Sequence, residues 1–226
     1  MFQHFLNLIF PKNCIGCKEI LLNNKHFICP KCTHELDLIC VGNKSNPSII
    51  NRFYGKLRLQ QANALVYYNK EEISHLLIHE LKYRDRQEIG IYFAELVYEK
   101  YHNHDIFKNI DELVAVPLHP KKERERGYNQ LDSFGKRLEE LTGIPYNKKR
   151  LTRNFYTKSQ TKKNIFSRSQ LKTDLFSVNF NNDDHGKHYL ILDDVLTTGS
   201  TLEILGNEIL KIPNSKLSVF FIAYTK

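Results

Sequence analysis

Two neighbouring carboxylates and a run of hydroxyl-bearing residues occur together in the stretch YLILDDVLTTGSTL, Tyr189 to Leu202. Asp193 and Asp194 follow four apolar residues that are typical of a buried strand, and the residues after them are typical of a turn that enters a helix. Backbone N–H groups at a helix N-terminus bind phosphate, and hydroxyl side chains add further donors. We therefore predict a phosphate cradle made by Thr197, Thr198, Gly199, Ser200 and Thr201.

The two carboxylates are expected to face another part of the same ligand, because they repel a phosphate. Asp193 and Asp194 could accept hydrogen bonds from vicinal hydroxyls, directly or through Mg²⁺, so a phosphorylated sugar meets both demands. The sequence lacks GxxxxGK[ST] and GxGxxG, which excludes a P-loop and a dinucleotide-binding loop here. The alternative is a strand followed by a helix that Asp194 or Thr197 merely caps.

A second group of chemistry-bearing residues is formed by cysteines. Four of the five cysteines make two CxxC pairs, which are Cys14, Cys17, Cys29 and Cys32. Two such turns can present four thiolates to one tetrahedral ion, which predicts a closed structural Zn²⁺ site in a small ribbon. The 11 residues between the pairs are too few to bury a core, so metal binding would supply the folding free energy. One alternative is that the two CxxC pairs are redox-active or simply buried. Another is that His26 or His34 replaces one cysteine as a metal ligand.

Length and composition set broad limits. The chain has 226 residues, of which 41% are hydrophobic, enough for one ordinary domain and a small appendage. The longest apolar or aromatic run, Val219 to Tyr224, is far shorter than the roughly 20 residues of a membrane span. The N-terminal MFQHFLNLIFP has neither a basic region nor a small-residue cleavage site. We therefore expect no signal peptide and a cytoplasmic protein.

The formal net charge of +8 is concentrated in one segment. From Tyr146 to Thr173 there is no acidic residue, and the remainder of the chain carries a net charge of −1. The segment contains nine cations: Lys148, Lys149, Arg150, Arg153, Lys158, Lys162, Lys163, Arg168 and Lys172. This distribution predicts an anionic partner, and a solvated loop is the alternative. Phe155, Tyr156 and Phe166 lie between the charges and could stack on bases of single-stranded nucleic acid.

The remaining sequence alternates between strand-like and helix-like patterns. The predicted strands are ANALVYYN, ELVAVPL, YLIL and KLSVFFIAY. The predicted helices cover 73–81, 91–101, 131–141 and TLEILGNEILKI. Strands separated by helices predict a parallel α/β sheet, which binds its ligands at the carboxyl ends of its strands. Asp193 and Asp194 fall at such an end.

The domain boundaries are predicted from composition. Residues 41–55, VGNKSNPSIINRFYG, are rich in turn formers and predict a linker. We therefore assign residues 1–45 to a zinc-ribbon domain, with the linker reaching about residue 55. Residues 56–226 are assigned to a second, α/β domain.

The motif LILDDVLTTGST resembles the phosphoribosyl diphosphate (PRPP) binding motif of type I phosphoribosyltransferases. In addition, FPKNCIGC, CPKC, LIHELKYRDRQEIG, VPLHPKKERERGYNQ, SQTKKNIFSR and the acidic motif resemble, in that order, the ComF family over nearly the full length. The resemblance implies a type I phosphoribosyltransferase fold, with a central mainly parallel sheet flanked by helices, and a small N-terminal zinc ribbon. It also implies a role in natural competence and DNA uptake, with single-stranded DNA and competence or DNA-processing proteins as partners.

The resemblance implies roles for individual residues. Asp193 and Asp194 would be the catalytic pair that contacts the ribose hydroxyls, and Thr197 to Thr201 would hold the 5'-phosphate. VPLHPKK takes the position of the pyrophosphate loop, whose positive charge would stabilise the leaving group, a role that electrostatics alone would also propose. The residues assigned to this loop are Pro117, Leu118, His119, Lys121, Lys122, Arg124 and Arg126.

The basic segment would be the flexible loop that folds over the site and excludes water. Closure could bring Lys162, Lys163 or Arg168 to the pyrophosphate. The family has an asparagine three residues after the position of Arg168, where this chain has Leu171, so no polar role is assigned there.

Other residues near the pyrophosphate loop permit two interpretations. His119 could contact pyrophosphate, but a histidine before a proline is more often a loop residue. Gly127, Tyr128 and Asn129 either line the pocket or form a structural turn.

Two functions are compatible with these features. One is transfer of the phosphoribosyl group of PRPP, with Mg²⁺, to a nitrogen nucleophile with release of pyrophosphate. The other is a non-catalytic module in which the ribbon and the basic segment bind single-stranded DNA beside a PRPP-type site. The acceptor is not identified, because this superfamily selects it through a variable hood. We expect that hood in Leu57 to Asn69 together with the ribbon.

Overall fold

The computed structural model describes residues 12–21, 27–39, 45–154 and 175–225. The strands in these ranges are β1 (Ala62–Tyr67), β2 (Glu112–Ala115), β3 (Leu151–Arg153), β4 (Phe176–Val178), β5 (His188–Leu196) and β6 (Lys216–Tyr224). One sheet has the order β1-β6-β5-β2, and all its neighbouring pairs are parallel. The short strands β3 and β4 pair antiparallel in a second sheet. The prediction of an α/β fold built on a parallel sheet is confirmed.

The helices alternate with the strands as the periodicity predicts. They are α1 (Pro30–His34), α2 (Pro47–Ile50), α3 (Ile73–Tyr83), α4 (Glu88–Tyr101), α5 (Pro120–Arg126), α6 (Asp132–Thr142) and α7 (Ser200–Ile209). Single 3₁₀ turns cover Asn51–Phe53, Asp105–Phe107 and Asn182–Asp184. Helix α5 was not predicted, because its sequence PKKERER has no apolar stripe. It forms because Pro120 presets the first helical φ and Gly127, at φ 82°, ends the helix in the left-handed region.

Helices cover both faces of the parallel sheet, which explains why β5 and β6 are apolar on both sides. Leu190 and Leu192 belong to a core that also contains residues of α3, α4 and α6. Tyr189 and Ile191 point the other way, into a core that contains residues of α7 and of the 47–53 segment. The central strand β5 is therefore fixed from both faces, and its carboxyl end is held in place.

The cysteine-containing segment packs on the outer side of α4. The rings of Phe27 and Tyr92 meet edge to face with centroids 5.3 Å apart. The Tyr92 hydroxyl donates to the Thr33 hydroxyl at 3.3 Å. The guanidinium of Arg86 lies 5.7 Å from the Phe27 ring centroid. Buried residues of the cysteine segment and of α4 consequently share one hydrophobic core.

Residues 45–53, which composition assigns to the linker, are packed against the sheet. Asn46 begins α2, and its side chain accepts from the N–H groups of Ser48 and Ile49. Ile49 and Phe53 are fully buried. Their burial does not test the proposed domain boundaries, which stay a prediction.

Helix α3 lies across the carboxyl edge of the parallel sheet. Tyr68, just before it, donates its N–H to the carbonyl of Tyr224 at the end of β6 (2.8 Å), and Lys82, near its end, contacts Asp194 of β5. By contrast, Gln60 donates to Leu217 at the opposite edge (2.7 Å). The first residues of Leu57 to Asn69 therefore lie at the amino edge, whereas α3 lies at the carboxyl edge, and the assignment of the hood stays a prediction.

Candidate functional site

The two acidic residues lie in the last four positions of β5, a central strand of the parallel sheet. Consecutive residues of a strand point to opposite faces, so the two side chains diverge although they are neighbours in sequence. Asp194 faces α3, whereas one carboxylate oxygen of Asp193 accepts the backbone N–H of Asp194 at 2.8 Å. The strand geometry thus allows two adjacent like charges at this point.

Asp194 is the centre of a hydrogen-bond network. The Nζ of Lys82 donates to its Oδ1 at 2.7 Å, and the Nε2 of Gln130 donates to its Oδ2. The Oε1 of Gln130 accepts in turn from the guanidinium of Arg126. A carboxylate offers about four acceptor positions, so Asp194 retains capacity for ligand hydroxyls. The network connects the predicted acidic pair to a residue of the predicted pyrophosphate loop.

The charge of the acidic pair is reduced in two ways. Burial, followed by the nearby charge of Asp194, raises the pKa of Asp193 to about 8. The ammonium group of Lys82 neutralises Asp194 directly. At neutral pH the pair therefore carries less negative charge than its sequence suggests, which lowers its repulsion for a phosphorylated ligand.

The predicted phosphate cradle is a tight turn between β5 and α7. Gly199 adopts a left-handed φ of 77° directly before the ten-residue helix. A Cβ atom at Gly199 would lie 2.8 Å from a ring carbon of Phe53, so only glycine fits there. Thr198 and Ser200 contact each other through their hydroxyls at 3.1 Å. The four hydroxyl side chains of the turn are exposed and are Thr197, Thr198, Ser200 and Thr201.

Arg52, in the 3₁₀ turn after α2, forms hydrogen bonds that stabilise the start of this cradle. Its guanidinium donates to the carbonyl of Thr197 and to the carbonyl of Thr225, the latter at 2.8 Å. The same group lies 4.8 Å from the ring centroid of Tyr224. The turn is therefore held by Arg52 on its backbone and by Phe53 beneath Gly199.

The predicted pyrophosphate loop is largely helical. His119 caps α5, because its Nδ1 accepts the N–H of Lys121 at 3.1 Å, which favours the structural interpretation of this histidine. Lys121, Lys122 and Arg124 are exposed on the helix, whereas Arg126 is directed toward Gln130. Pro117 and Leu118 precede α5 and line a cavity of about 280 Å³ together with Lys148, Lys149 and Arg153.

The turn after α5 has structural partners. Gly127 ends the helix, and the Tyr128 hydroxyl donates to the carbonyl of Leu81 at 2.7 Å. The Asn129 amide donates to the carbonyl of Val116 at 3.1 Å, and its side-chain oxygen accepts the N–H of Leu131. These contacts favour the structural-turn interpretation of Gly127, Tyr128 and Asn129, and they position Gln130 next to Asp194.

The described part of the basic segment is divided between exposed and buried cations. Lys148 and Lys149 are exposed, but Arg150 is buried and ion-pairs with Glu112 and Asp184, each at 2.7 Å. Arg150 is therefore not available to an anionic partner, contrary to the prediction for the segment as a whole. Other residues predicted to contact ligands lie outside the described residues: Phe155, Tyr156, Lys162, Lys163, Phe166 and Arg168.

The four predicted metal ligands converge. The sulfur atoms of Cys14, Cys17, Cys29 and Cys32 all lie within 4.8 Å of one another. The Sγ atoms of Cys17 and Cys29 are 3.7 Å apart, which matches the edge of about 3.8 Å that a tetrahedron with Zn–S bonds of about 2.3 Å requires. His34 is exposed and outside this cluster, and His26 lies outside the described residues.

Backbone donors surround the sulfur atoms as they do in thiolate sites. The N–H of Cys29 donates to the sulfur of Cys14 at 3.3 Å, and that of Cys32 donates to the sulfur of Cys29 at 3.4 Å. Burial opposes ionisation of Cys14, but backbone hydrogen bonds from Cys29, Cys17 and Gly16 outweigh it and lower its pKa to about 7. Burial raises the pKa of Cys32, so a bound cation would be needed to hold all four as thiolates. The donor set fits a Zn²⁺ ion.

Sequence reasoning missed three residues of the site. Lys82 and Gln130 belong to two of the motifs that resemble the ComF family, but the sequence predicts no role for them. Arg52 falls in the predicted linker. A basic residue at the end of an amphipathic helix gives no sign that the helix crosses a strand end. Only the fold brings Lys82, Gln130 and Arg52 to the two sides of the β5–α7 turn.

Comparisons with known proteins were consistent with parts of this description. No protein-family model matches the chain. The chain is 28% identical over 153 residues to the DNA utilization protein YhgH of Salmonella typhimurium, a match that covers 66% of each protein. The YhgH protein of Escherichia coli O157:H7 matches with the same identity and coverage. The chain thus spans just under two thirds of the length of these relatives.

Solved structures with partial similarity are phosphoribosyltransferases. A purine phosphoribosyltransferase of Pyrococcus horikoshii is 18% identical, with a TM-score of 0.36, covering 62% of this chain and 83% of that one. A hypoxanthine phosphoribosyltransferase of Trypanosoma cruzi is 15% identical, with a TM-score of 0.34, covering 61% and 72%. Within the described residues, no helix has the length and apolar character that crossing a membrane requires. The described residues form an α/β fold with a parallel sheet and a four-cysteine cluster, and the chain is similar in sequence to DNA utilization proteins.

Proposed function

We propose that the chain binds PRPP at the carboxyl edge of its parallel sheet. The observation that carries this proposal is the turn of Thr197 to Thr201. It stands at the N-terminus of α7, with Gly199 left-handed against Phe53 and hydroxyl groups exposed around it. A phosphate in this turn would receive backbone N–H and hydroxyl donors, and the helix dipole would favour its charge.

The acidic pair would recognise the sugar. Asp194 lies in the same strand, three residues before Thr197, and has acceptor capacity beyond its bonds to Lys82 and Gln130. Asp193, with its raised pKa, could donate to a hydroxyl as well as accept from one. Ribose hydroxyls and the 5'-phosphate would therefore be bound by consecutive segments of one strand and turn.

The diphosphate would lie toward α5. Arg126 is connected to Asp194 through Gln130, which supports a role for Arg126 as a diphosphate-binding cation beside the sugar. Lys121, Lys122 and Arg124, and from the basic segment Lys162, Lys163 or Arg168, would supply further charge. Among the described residues no three carboxylate or imidazole groups converge beside Asp194, so Mg²⁺ would be bound mainly by diphosphate oxygens.

Phosphoribosyl transfer is the reaction that this arrangement would support. The bond between C1 and the diphosphate oxygen breaks, a bond from C1 to a nitrogen nucleophile forms, and the nucleophile loses its proton. Arg126 and its neighbours would stabilise the departing diphosphate, and Asp194 the positive charge that develops on the ribose. Mg²⁺, when bound with the diphosphate, would neutralise part of the leaving-group charge.

Titration calorimetry with PRPP and Mg²⁺ tests the binding proposal. We expect saturable one-site binding by the wild-type chain and a large loss of affinity in Asp194→Asn. Pyrophosphate release, measured with bases, amines and oligonucleotides as acceptors, then tests turnover. Wild-type protein that gives no heat with PRPP, at concentrations where it is folded, would refute the site.

A second candidate function is non-catalytic binding of single-stranded DNA in a competence role, as the ComF resemblance implies. It is favoured by the similarity to proteins named for DNA utilization and by the eight cations other than the buried Arg150 between Tyr146 and Thr173. Electrostatic binding of this kind weakens steeply as salt rises. Affinity for a labelled oligonucleotide that is indifferent to salt, or that survives neutralisation of Lys158, Lys162 and Lys163, would eliminate this candidate.

We further propose that the four cysteines hold a structural Zn²⁺ ion that stabilises residues 1–45 as a ribbon on the α/β domain of residues 56–226. The supporting observation is the convergence of four sulfur atoms within 4.8 Å of one another, one pair of them 3.7 Å apart. Elemental analysis should find one zinc per chain, and Cys32→Ser should reduce it. Retention of full thermal stability after complete removal of zinc by a chelator would contradict a structural role.

A further inference from the structure

Four aromatic rings form a continuous row along helix α3 at the carboxyl edge of the sheet. The ring centroids of Tyr68 and His75 are 5.6 Å apart, those of His75 and His79 are 6.3 Å apart, and those of His79 and Tyr83 are 4.9 Å apart. We name Tyr68, His75, His79 and Tyr83 the ring row. The PRPP proposal uses none of these side chains. Tyr68 is half-buried and packs against the core, whereas His79 and Tyr83 are exposed.

The ring row belongs to a different face of α3 from the one that packs on the sheet. The core face consists of Ser74, Leu77, Ile78 and Leu81, all of them buried. His75, His79 and Tyr83 follow one another at intervals of four residues, which places them in line along the helix surface. Tyr83 is 64% exposed, and His79 is exposed as well. Single exposed aromatic residues are common on protein surfaces, but His79 and Tyr83 stand together as neighbouring exposed rings.

Both ends of the ring row are fixed to the candidate site. Tyr68 donates its backbone N–H to Tyr224, whose ring lies under Arg52. Tyr83 follows Lys82, which binds Asp194, and the guanidinium of Arg126 lies 5.3 Å from the Tyr83 ring centroid. The row thus passes over the edge where the sugar phosphate is proposed to bind, and cations stand beside its exposed end.

We propose that the ring row is a stacking surface for successive bases of a single-stranded nucleic acid. Stacking on aromatic side chains beside cations is the general way in which proteins bind single strands without reading their sequence. From His75 to Tyr83 the helix rises about 12 Å, more than one base covers, so a free base would use only part of the surface. The inference rests on the nucleic-acid role proposed above and names the surface that would perform it.

The test measures binding of a fluorescently labelled 12-nucleotide oligothymidylate by anisotropy at low and moderate salt. We expect the double variant His79→Ala, Tyr83→Ala to bind about tenfold or more weakly, by the same factor at both salt concentrations, because stacking is not ionic. Tyr83→Phe keeps a ring and should bind like the wild type. An affinity loss in Tyr83→Phe equal to that of the double variant would refute stacking.

The control variant is supplied by a similar ring pair on α4. Tyr98 and His102 are also four residues apart, with centroids separated by 5.2 Å, but they stand near the helix end that leads to the opposite edge of the sheet. Tyr98→Ala, His102→Ala should leave affinity unchanged. An equal loss in this variant would show a general effect of surface rings and overturn the proposal.

An abasic oligonucleotide of equal length separates bases from phosphates. The wild type and the ring-row double variant should bind it equally, since it has charge but no stacking partner. A tenfold difference on the abasic strand, no wild-type binding to either strand, or full displacement of the oligothymidylate by micromolar free thymidine would each overturn the proposal. Titration of PRPP into the wild type is scored separately, so failure of the sugar-phosphate site is distinguished from failure of the ring row.

Discussion

Two acidic clusters lie at opposite edges of the same parallel sheet, and they are neutralised to different extents. At the amino edge, Glu112 and Asp184 each bind the guanidinium of Arg150 at 2.7 Å, and Lys187 adds a further contact to Asp184 at the same distance. Burial opposes ionisation of Asp184, but hydrogen bonds from Arg150 and Lys187 outweigh it and lower its pKa. This cluster is closed, because every carboxylate in it has a cation.

The carboxyl edge differs in both charge and access. Asp194 has one ammonium partner, Lys82, and an uncharged one, Gln130, while the pKa of Asp193 is raised by burial and by Asp194. Next to this pair stands a turn whose hydroxyl groups are exposed. Two carboxyl groups that share one cation beside a phosphate-type turn are typical of a binding site, whereas carboxylates that each have a cation are typical of structural support. Whether an acidic residue near the edge of the sheet binds a ligand or stabilises the fold can therefore be judged only when its partners are known.

The largest expected effect is a loss of stability when Arg150 is removed from the closed cluster. Arg150→Met should lower the free energy of unfolding by about 3–5 kcal/mol, because Glu112 would remain buried without a cation and Asp184 would keep only Lys187. Urea denaturation followed by circular dichroism measures this. The adjacent Lys149→Met removes an exposed charge and should change stability by less than about 0.5 kcal/mol. Similar small changes in the two variants would show that Arg150 is not a structural residue.

The next largest effect concerns the packing of Phe53 against Gly199 in the turn between β5 and α7. Gly199→Ala should lower the free energy of unfolding by about 2–3 kcal/mol, because the left-handed backbone disfavours alanine and the new Cβ meets Phe53. Gly143→Ala is the matched control, since its φ is 73° and nothing lies within 4 Å of its Cβ position. The control should cost about 1 kcal/mol. Equal costs in both variants, by thermal or urea denaturation, would argue against the Phe53 contact.

Substitution of one aspartate from each cluster distinguishes a ligand-binding carboxylate from one that stabilises the fold. Asp194→Asn should weaken PRPP binding by about 10- to 100-fold, which is the loss of one or two charge-assisted hydrogen bonds. Asp184→Asn should reduce stability but leave the affinity of the folded fraction unchanged. Calorimetric titration at a temperature where both are folded measures this. Equal losses of affinity would mean that the two clusters do not differ in function.

Much of this architecture could be predicted from sequence, because it depends on local patterns. Apolar runs and 3.6-residue spacing predicted the sheet strands and the helices α3, α4, α6 and α7. The CxxC spacing likewise predicted which four sulfur atoms converge. Helix α5 was missed because Pro120 and Gly127 determine it through φ preferences, and its residues show no amphipathic pattern.

Contacts between distant segments could not be predicted in this way. Arg150 belongs to a run of cations, and nothing local distinguishes it from Lys149. Its burial follows from the positions of Glu112 and Asp184, which are 38 and 34 residues away in sequence. Lys82 reaches Asp194 across 112 residues for the same reason. Sequence patterns identify the residues that could do chemistry, but their charged partners depend on the topology.

The smallest expected effect is a pH dependence of stability that is present at the carboxyl edge and absent at the amino edge. The pKa of Asp193 is raised from 3.8 to about 8 in the folded chain, so the folded state binds the extra proton between these values and loses stability as pH rises. Asp193→Asn removes this loss and should gain about 1–2 kcal/mol relative to wild type between pH 7 and pH 9. Asp184, whose pKa is lowered, is ionised in the folded and the unfolded chain throughout that range. The difference in stability between Asp184→Asn and wild type should therefore not vary with pH. Urea denaturation of all three proteins at both pH values checks this; a slope in Asp193→Asn identical to that of wild type would show that Asp193 is already ionised in the folded chain.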